Sequence, residues 1–190
     1  INKEKMSKSL NNFTTMQDLF KKYDPMIIRY MYVASHYRMP IDFSDKNLEQ
    51  AKNSLERIKN FMVESKESKN KLPEELIKKT KDKFIKSMEN DFDTPNAIAS
   101  IFELIKEANK LGNGKNAFTL IKELDKIFGL NLDKIEKIPK EIKELAEKRE
   151  QARKDKNWKD SDKLRNEINK KGYIIEDSNQ GYKLKKKWKT

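Results

Sequence analysis

Residues 4–13 read Glu4-Lys5-Met6-Ser7-Lys8-Ser9-Leu10-Asn11-Asn12-Phe13. Two lysines flank a Met-Ser pair, and a second serine follows. Five residues thus hold two cations and several backbone amides. Such a stretch suits a loop that closes over a polyphosphate. Lysine acts there as a point charge with three donors. Backbone N–H groups in a tight turn or at a helix start add fixed partial positive charge. On composition alone the ordinary reading is a solvated surface, because the chain has 43 Lys+Arg in 190 residues.

The string itself decides between them. Lys5 to Ser9 is, letter for letter, the signature loop of class I aminoacyl-tRNA synthetases. With Glu4 and Leu10 to Phe13 it resembles the cysteinyl-tRNA synthetase version. The resemblance implies that Lys5, Met6, Ser7, Lys8 and Ser9 contact ATP. Lys8 then carries the main contact and Lys5 assists, both as catalytic residues. As a carboxylate attacks the α-phosphorus, charge builds on the departing pyrophosphate. Cations placed there act mainly on the transition state. The family usually has Gly where Asn11 stands. Asn is the next best tolerated residue at positive φ, so the turn survives.

Working outward, 35% of residues are hydrophobic and 39% charged, with 5 Gly and 5 Pro. This is polar, but helical periodicity runs through it, which favours long helices with short connections. No stretch approaches the roughly 20 apolar residues of a membrane span. There are 0 Cys, hence no disulfide and no thiolate metal site. A cytoplasmic protein is expected. The chain begins at Ile1 and the loop follows at once. A loop of this kind needs a nucleotide-binding domain before it, so a C-terminal fragment of a longer protein is expected. The net charge of +12 points to a polyanionic partner, or else to a generally lysine-rich background. From Pro139 onward 17 Lys/Arg stand against 10 Asp/Glu, so +7 of it lies in the last 52 residues.

Thr14 or Thr15 can cap a short helix with Met16, Leu19 and Phe20 on one face. Asp24-Pro25 is a strong helix start, opening an apolar helix to about Tyr37. Asp24, Arg29 and Tyr30 fit the Asp-x-x-x-x-Arg-Tyr pattern of the stem-contact helix in this synthetase class. His36, the single histidine, is expected to pack or hydrogen-bond. Ser44 caps a helix to Phe61, a polar linker spans Glu64 to Lys71, and Pro73 opens the next helix. Asp91 to Ala97 gives a cap with Pro at the first helical position, and resembles a segment of the cysteinyl family's bundle. Ala97 to Leu111 and Phe118 to Phe128 are amphipathic, the second stopped by Gly129. Each apolar stripe reads as bundle core.

The tail differs. Lys140 to Lys156 is a charged helix with Arg149 and Arg153 four apart on one face. Trp158 opens a second helix, with Asp162 and Arg165 on its face. Gly172 ends it. Tyr173 to Asp177 and Tyr182 to Trp188 read as two strands around a turn. The pattern Ala152-Arg153-Lys154, Trp158, Asp162, Gly172, Asp177, Gly181 closely resembles the anticodon-binding domain of cysteinyl-tRNA synthetases. The resemblance implies that Arg153, Trp158, Asp162 and Asp177 bind a GCA anticodon. The chemistry is consistent. RNA readers stack unstacked loop bases on aromatics and bond their edges. Trp158 can stack on a base, Arg153 can donate two bonds to guanine, and a carboxylate can accept from guanine or cytosine N–H groups. Read without the family, Trp158 is a core aromatic and Arg153–Asp162 a structural ion pair. The family often has Trp near Leu184; Trp188 is not an obvious substitute.

The expected fold is mainly α. Residues 1–43 form the signature loop and stem-contact fold, 44–135 a DALR-type helical bundle, and 139–190 a small α+β anticodon-binding domain with a β-hairpin. The resemblance implies an enzyme that activates cysteine with ATP (with Mg2+) and transfers it to cysteine tRNA. It also implies a monomer, no membrane partner, no metal in this stretch, zinc in the catalytic domain before it, and no activity from this stretch alone. Three rivals stand beside it. A cysteine ligase acting on an amino-sugar lacks the anticodon domain. A methionyl or arginyl synthetase is disfavoured by Phe92 to Ala97 and by the tail. A non-catalytic RNA-binding helical module has no use for a phosphate clamp.

Overall fold

A computed structural model describes residues 15–134, 138–178 and 181–186. Lys5, Met6, Ser7, Lys8, Ser9 and Trp188 lie outside them. The chain divides into two compact units, Ile1–Ile135 and Glu136–Thr190. Among the described residues the first is wholly helical and the second is two helices with a hairpin.

In the first unit, Thr15 Oγ1 accepts from Asp18 N at 3.1 Å and starts α1 (Met16–Lys22). No α1 residue is buried; Met16 and Phe20, expected to pack, are exposed. Asp24 accepts from Met26 N at 2.7 Å and starts α2 (Pro25–Val33). Its Ile27, Ile28, Tyr30 and Met31 are buried, and Tyr30 hydrogen-bonds with Ser54. Helix α2 stops short of the expected Tyr37. The Ser35 hydroxyl donates back to the Met31 carbonyl at 2.9 Å, and Pro40 disfavours further helix. His36 stacks on Tyr37 with ring centroids 5.0 Å apart, and its Nδ1 accepts from Arg38 N at 3.3 Å. Tyr37 Oη donates to Asp91 at 2.6 Å, and Arg38 Nε lies 3.0 Å from the same carboxylate. This ties the segment after α2 to a distant turn.

Ser44 caps α3 (Asp45–Glu67). This helix outruns the expected Phe61 because Met62 and Ser65 carry its buried seam a further turn, into the expected linker. Pro73 is the cap of α4 (Glu74–Glu89), not its first residue. Asp91 and Phe92 then take left-handed φ values of 54° and 53°. Asp93 accepts from Asn96 N and starts α5 (Thr94–Leu111), with Pro95 second in the helix rather than first. α6 (Lys115–Phe128) starts three residues before the expected Phe118. Gly114 makes that possible, since a Cβ there would sit 2.7 Å from Leu72 Cγ. Leu55, Ile58, Ile101, Leu104, Ile105 and Ile121 are almost fully buried and form the bundle core. Each contributes roughly 1.5–3 kcal/mol relative to exposure.

The second unit is α7 (Lys140–Lys154), α8 (Trp158–Lys170), β1 (Tyr173–Ser178) and β2 (Gly181–Lys186). The hairpin is antiparallel and pairs Ile175 with Leu184 and Asp177 with Tyr182. α7 ends at Lys154, not Lys156, because Lys156 turns left-handed at φ 57° and Asn157 caps α8. The core is small: Ile142, Ala146, Ile168 and Ile175, with Leu145, Tyr173, Tyr182 and Leu184 packed against them. Lys171 Nζ meets Glu141 at 2.6 Å, joining the end of α8 to the start of α7.

Candidate nucleic-acid interface

In the second unit α7 and β1 bring two arginines to one carboxylate. Arg149 points from α7 with only 4% of its surface exposed. Its Nη1 donates to Asp177 Oδ1 at 2.8 Å and its Nη2 to Oδ2 at 3.3 Å. Arg153, one turn on, donates through Nη1 to the same Oδ1. Glu150 lies 3.8 Å from Arg153 Nη1. The bonds from Arg149, with the nearby charges of Arg149, Arg153 and Arg165, hold the Asp177 carboxyl below the usual carboxylate range.

Of the four expected anticodon residues, the structure joins two. Arg153 and Asp177 form an ion pair. Trp158 and Asp162 stand one helical turn apart on α8, both exposed. Trp158 is 61% exposed, so the core-aromatic reading fails. The alternative Arg153–Asp162 pair is also not formed; Arg153 goes to Asp177. The five loop residues, Lys5 to Ser9, lie outside the described residues.

Arg149 is the group that sequence reasoning passed over. Its spacing of four from Arg153 was the available signal. What no spacing shows is that one carboxylate, on a strand 28 residues away, receives both arginines. Arg29 is similar. It fits a recognised pattern, and in the fold its Nε donates to the Phe128 carbonyl at 2.7 Å.

A shallow groove between α7 and α8, about 410 Å³, is lined by Lys148, Gln151, Asp155, Asn157, Asp160 and Lys163 among others. Its lining mixes both signs and contains none of the four expected residues. Among the described residues no group of three or more His, Cys, Asp or Glu is arranged to hold a metal ion. Among them, too, no helix is long and apolar enough to cross a membrane.

Comparison with known proteins follows this layout. Residues 1–53 match the class I (C) tRNA synthetase catalytic domain, 83–133 the DALR domain, and 136–183 the cysteinyl-tRNA ligase anticodon binding domain. These matches and the fold define a class I aminoacyl-tRNA synthetase sequence. The chain is 40% identical to the cysteine–tRNA ligase of Oenococcus oeni over 202 residues, 98% of this chain and 43% of that protein. It is 39% identical to that of Caldicellulosiruptor saccharolyticus, over 98% of this chain and 44% of the relative. It is 38% identical to that of Francisella tularensis subsp. novicida, over 98% and 43%. The chain belongs to the cysteinyl-tRNA synthetase family. It spans less than half the length of these curated relatives.

Proposed function

We propose that this chain is the ATP-loop and tRNA-reading portion of a cysteine–tRNA ligase. In that reaction ATP and cysteine give cysteinyl-adenylate and pyrophosphate, and cysteine then passes to the 3′ end of cysteine tRNA. The observation that carries the reading is the match to cysteine–tRNA ligases along 98% of the chain. Lys8, helped by Lys5, steadies the charge growing on pyrophosphate, with Met6, Ser7 and Ser9 completing the ATP loop. Mg2+ accompanies the ATP. Zinc belongs to the part of the ligase that lies before this stretch.

Residues 1–43 serve as loop and stem-contact fold, 44–135 as a DALR-type bundle, and 139–190 as the anticodon reader of a cytoplasmic, monomeric enzyme. An exposed tryptophan beside a basic unit supports the last assignment. Trp158 stacks on an anticodon base, while Arg153, Asp162 and Asp177 bond the edges of GCA. The described residues hold helices and one two-stranded hairpin rather than a nucleotide-binding sheet, and the chain alone does not activate cysteine.

Two assays test this. The purified chain should show no cysteine-dependent pyrophosphate exchange; detectable exchange sinks the claim of inactivity. Binding to cysteine tRNA, across a salt series, should drop sharply when the anticodon is changed. Equal and steeply salt-dependent binding to both RNAs would mean that only a basic surface is engaged.

A further inference from the structure

Arg153 and Asp177 are the donor and acceptor that a base edge would need, yet they are bonded to each other. If either is to read a base, their bond must give way. Three observations bear on how. Both arginines use Asp177 Oδ1, but Arg149 also takes Oδ2. The side chain of Arg149 is 4% exposed and that of Arg153 is 31% exposed. Arg153 has a second carboxylate in reach, Glu150, whereas Arg149 Nε has no acceptor among the described residues. One arginine is therefore held in the interior, and the other is poised at the surface.

We infer that Arg149 is a positioning residue for base reading, holding the Asp177 carboxylate in place while Arg153 releases it to donate to an RNA base. This rests on the tRNA-reading proposal above. The division of labour follows from the geometry. A bidentate Arg–carboxylate fork fixes orientation as well as distance. A buried guanidinium has no room to swing out, so the exposed one exchanges. When Arg153 leaves, Asp177 stays neutralised by Arg149. Its Oδ1 then has a lone pair free to accept from a base N–H. Arg153 turns its two parallel donors toward a base edge. Without Arg149, releasing Arg153 would leave Asp177 without its anchoring fork.

The test uses the full 190-residue chain. The first arm needs no RNA. The Asp177 carboxyl carbon is titrated by NMR in the unaltered protein, in Arg149→Met and in Arg153→Met. Arg149→Met should raise the Asp177 midpoint more than Arg153→Met does; the reverse order overturns the inference. The second arm measures affinity for a GCA anticodon stem-loop and for the same RNA with one anticodon base changed, at a temperature where each variant is folded. Arg149→Met should lose about tenfold in discrimination, within what a good base-edge contact supplies. Arg149→Lys should regain part of it. Adding Arg149→Met to Asp177→Asn should cost no further discrimination. A folded Arg149→Met chain that discriminates like the unaltered protein would overturn this inference alone. An unaltered chain that does not discriminate would overturn the tRNA-reading proposal, and this inference with it.

Discussion

Arg29 Nε donates to the carbonyl of Phe128 at 2.7 Å, joining residues 99 apart in sequence. The carbonyl is at the C-terminus of α6, where unsatisfied acceptors and the helix dipole favour a cation. Gly129 follows with φ +65°, and a Cβ there would lie 2.8 Å from Arg29 Nη2. The arginine thus pins α2 onto the end of α6. Arg29→Ala should destabilise the first unit by about 1.5–3 kcal/mol, the worth of a hydrogen bond to a charged group. Urea unfolding followed by circular dichroism checks this. Gly129→Ala should also destabilise, through strain as well as contact.

The two units should respond to acid in opposite senses. Asp177 has a lowered folded pKa, chiefly through its bonds to Arg149. The stability it contributes is present above the unfolded value near 4 and is lost as pH falls through the folded one. Asp125 has a raised folded pKa, because burial outweighs the bonds it accepts from Leu130 N and Leu132 N. Its contribution is full below the unfolded value and declines as pH rises through the folded one. Both tryptophans, Trp158 and Trp188, lie in the second unit. Tryptophan fluorescence should therefore show a loss of stability below about pH 4 that Asp177→Asn abolishes. The circular dichroism signal of the first unit should show no matching loss from Asp125.

Asp177→Ala itself should destabilise the second unit by on the order of 2 kcal/mol. It leaves Arg149 buried without a counter-charge, and the half-exposed position of Asp177 tempers the cost. Fluorescence-detected urea unfolding measures it. A value near zero would mean that water satisfies Arg149.

Trp158→Ala separates packing from recognition. Its side chain is 61% exposed, so stability should change by less than about 1 kcal/mol. Stacking on a base is worth about 1–3 kcal/mol, so affinity for cysteine tRNA should fall by about 5- to 150-fold. Unchanged affinity in a folded variant would remove Trp158 from the reader.

Lys156 adopts φ 57° in the turn between α7 and α8, and it is exposed. A left-handed residue with a Cβ is strained, and glycine relieves it. Lys156→Gly should stabilise the second unit by about 0.5 kcal/mol, after the added entropy of the unfolded chain. The urea midpoint of the fluorescence transition reads this directly.

Much of the fold was legible locally. Thr15, Asp24, Ser44 and Asp93 cap the helices their side chains announce, because a cap needs only a few neighbouring residues. Element ends were less legible. α3 outran its apparent linker because Ser65, polar on paper, is fully buried in the seam. The exposed face of α1 shows the converse, since apolar spacing does not say what a helix packs on.

The sequence by itself determined which residues could do the chemistry: a lysine loop, an aromatic at the start of α8, and arginines spaced one turn apart on α7. It also determined the family, because that likeness is written in residue identities. Only the tertiary structure decided which charges meet. The hairpin brings Asp177 back over α7, where one carboxylate takes a buried arginine and an exposed one. Helical spacing cannot contain that fact, because the partner arrives from a strand whose register is set by Ile175 and Leu184 packing into the same small core.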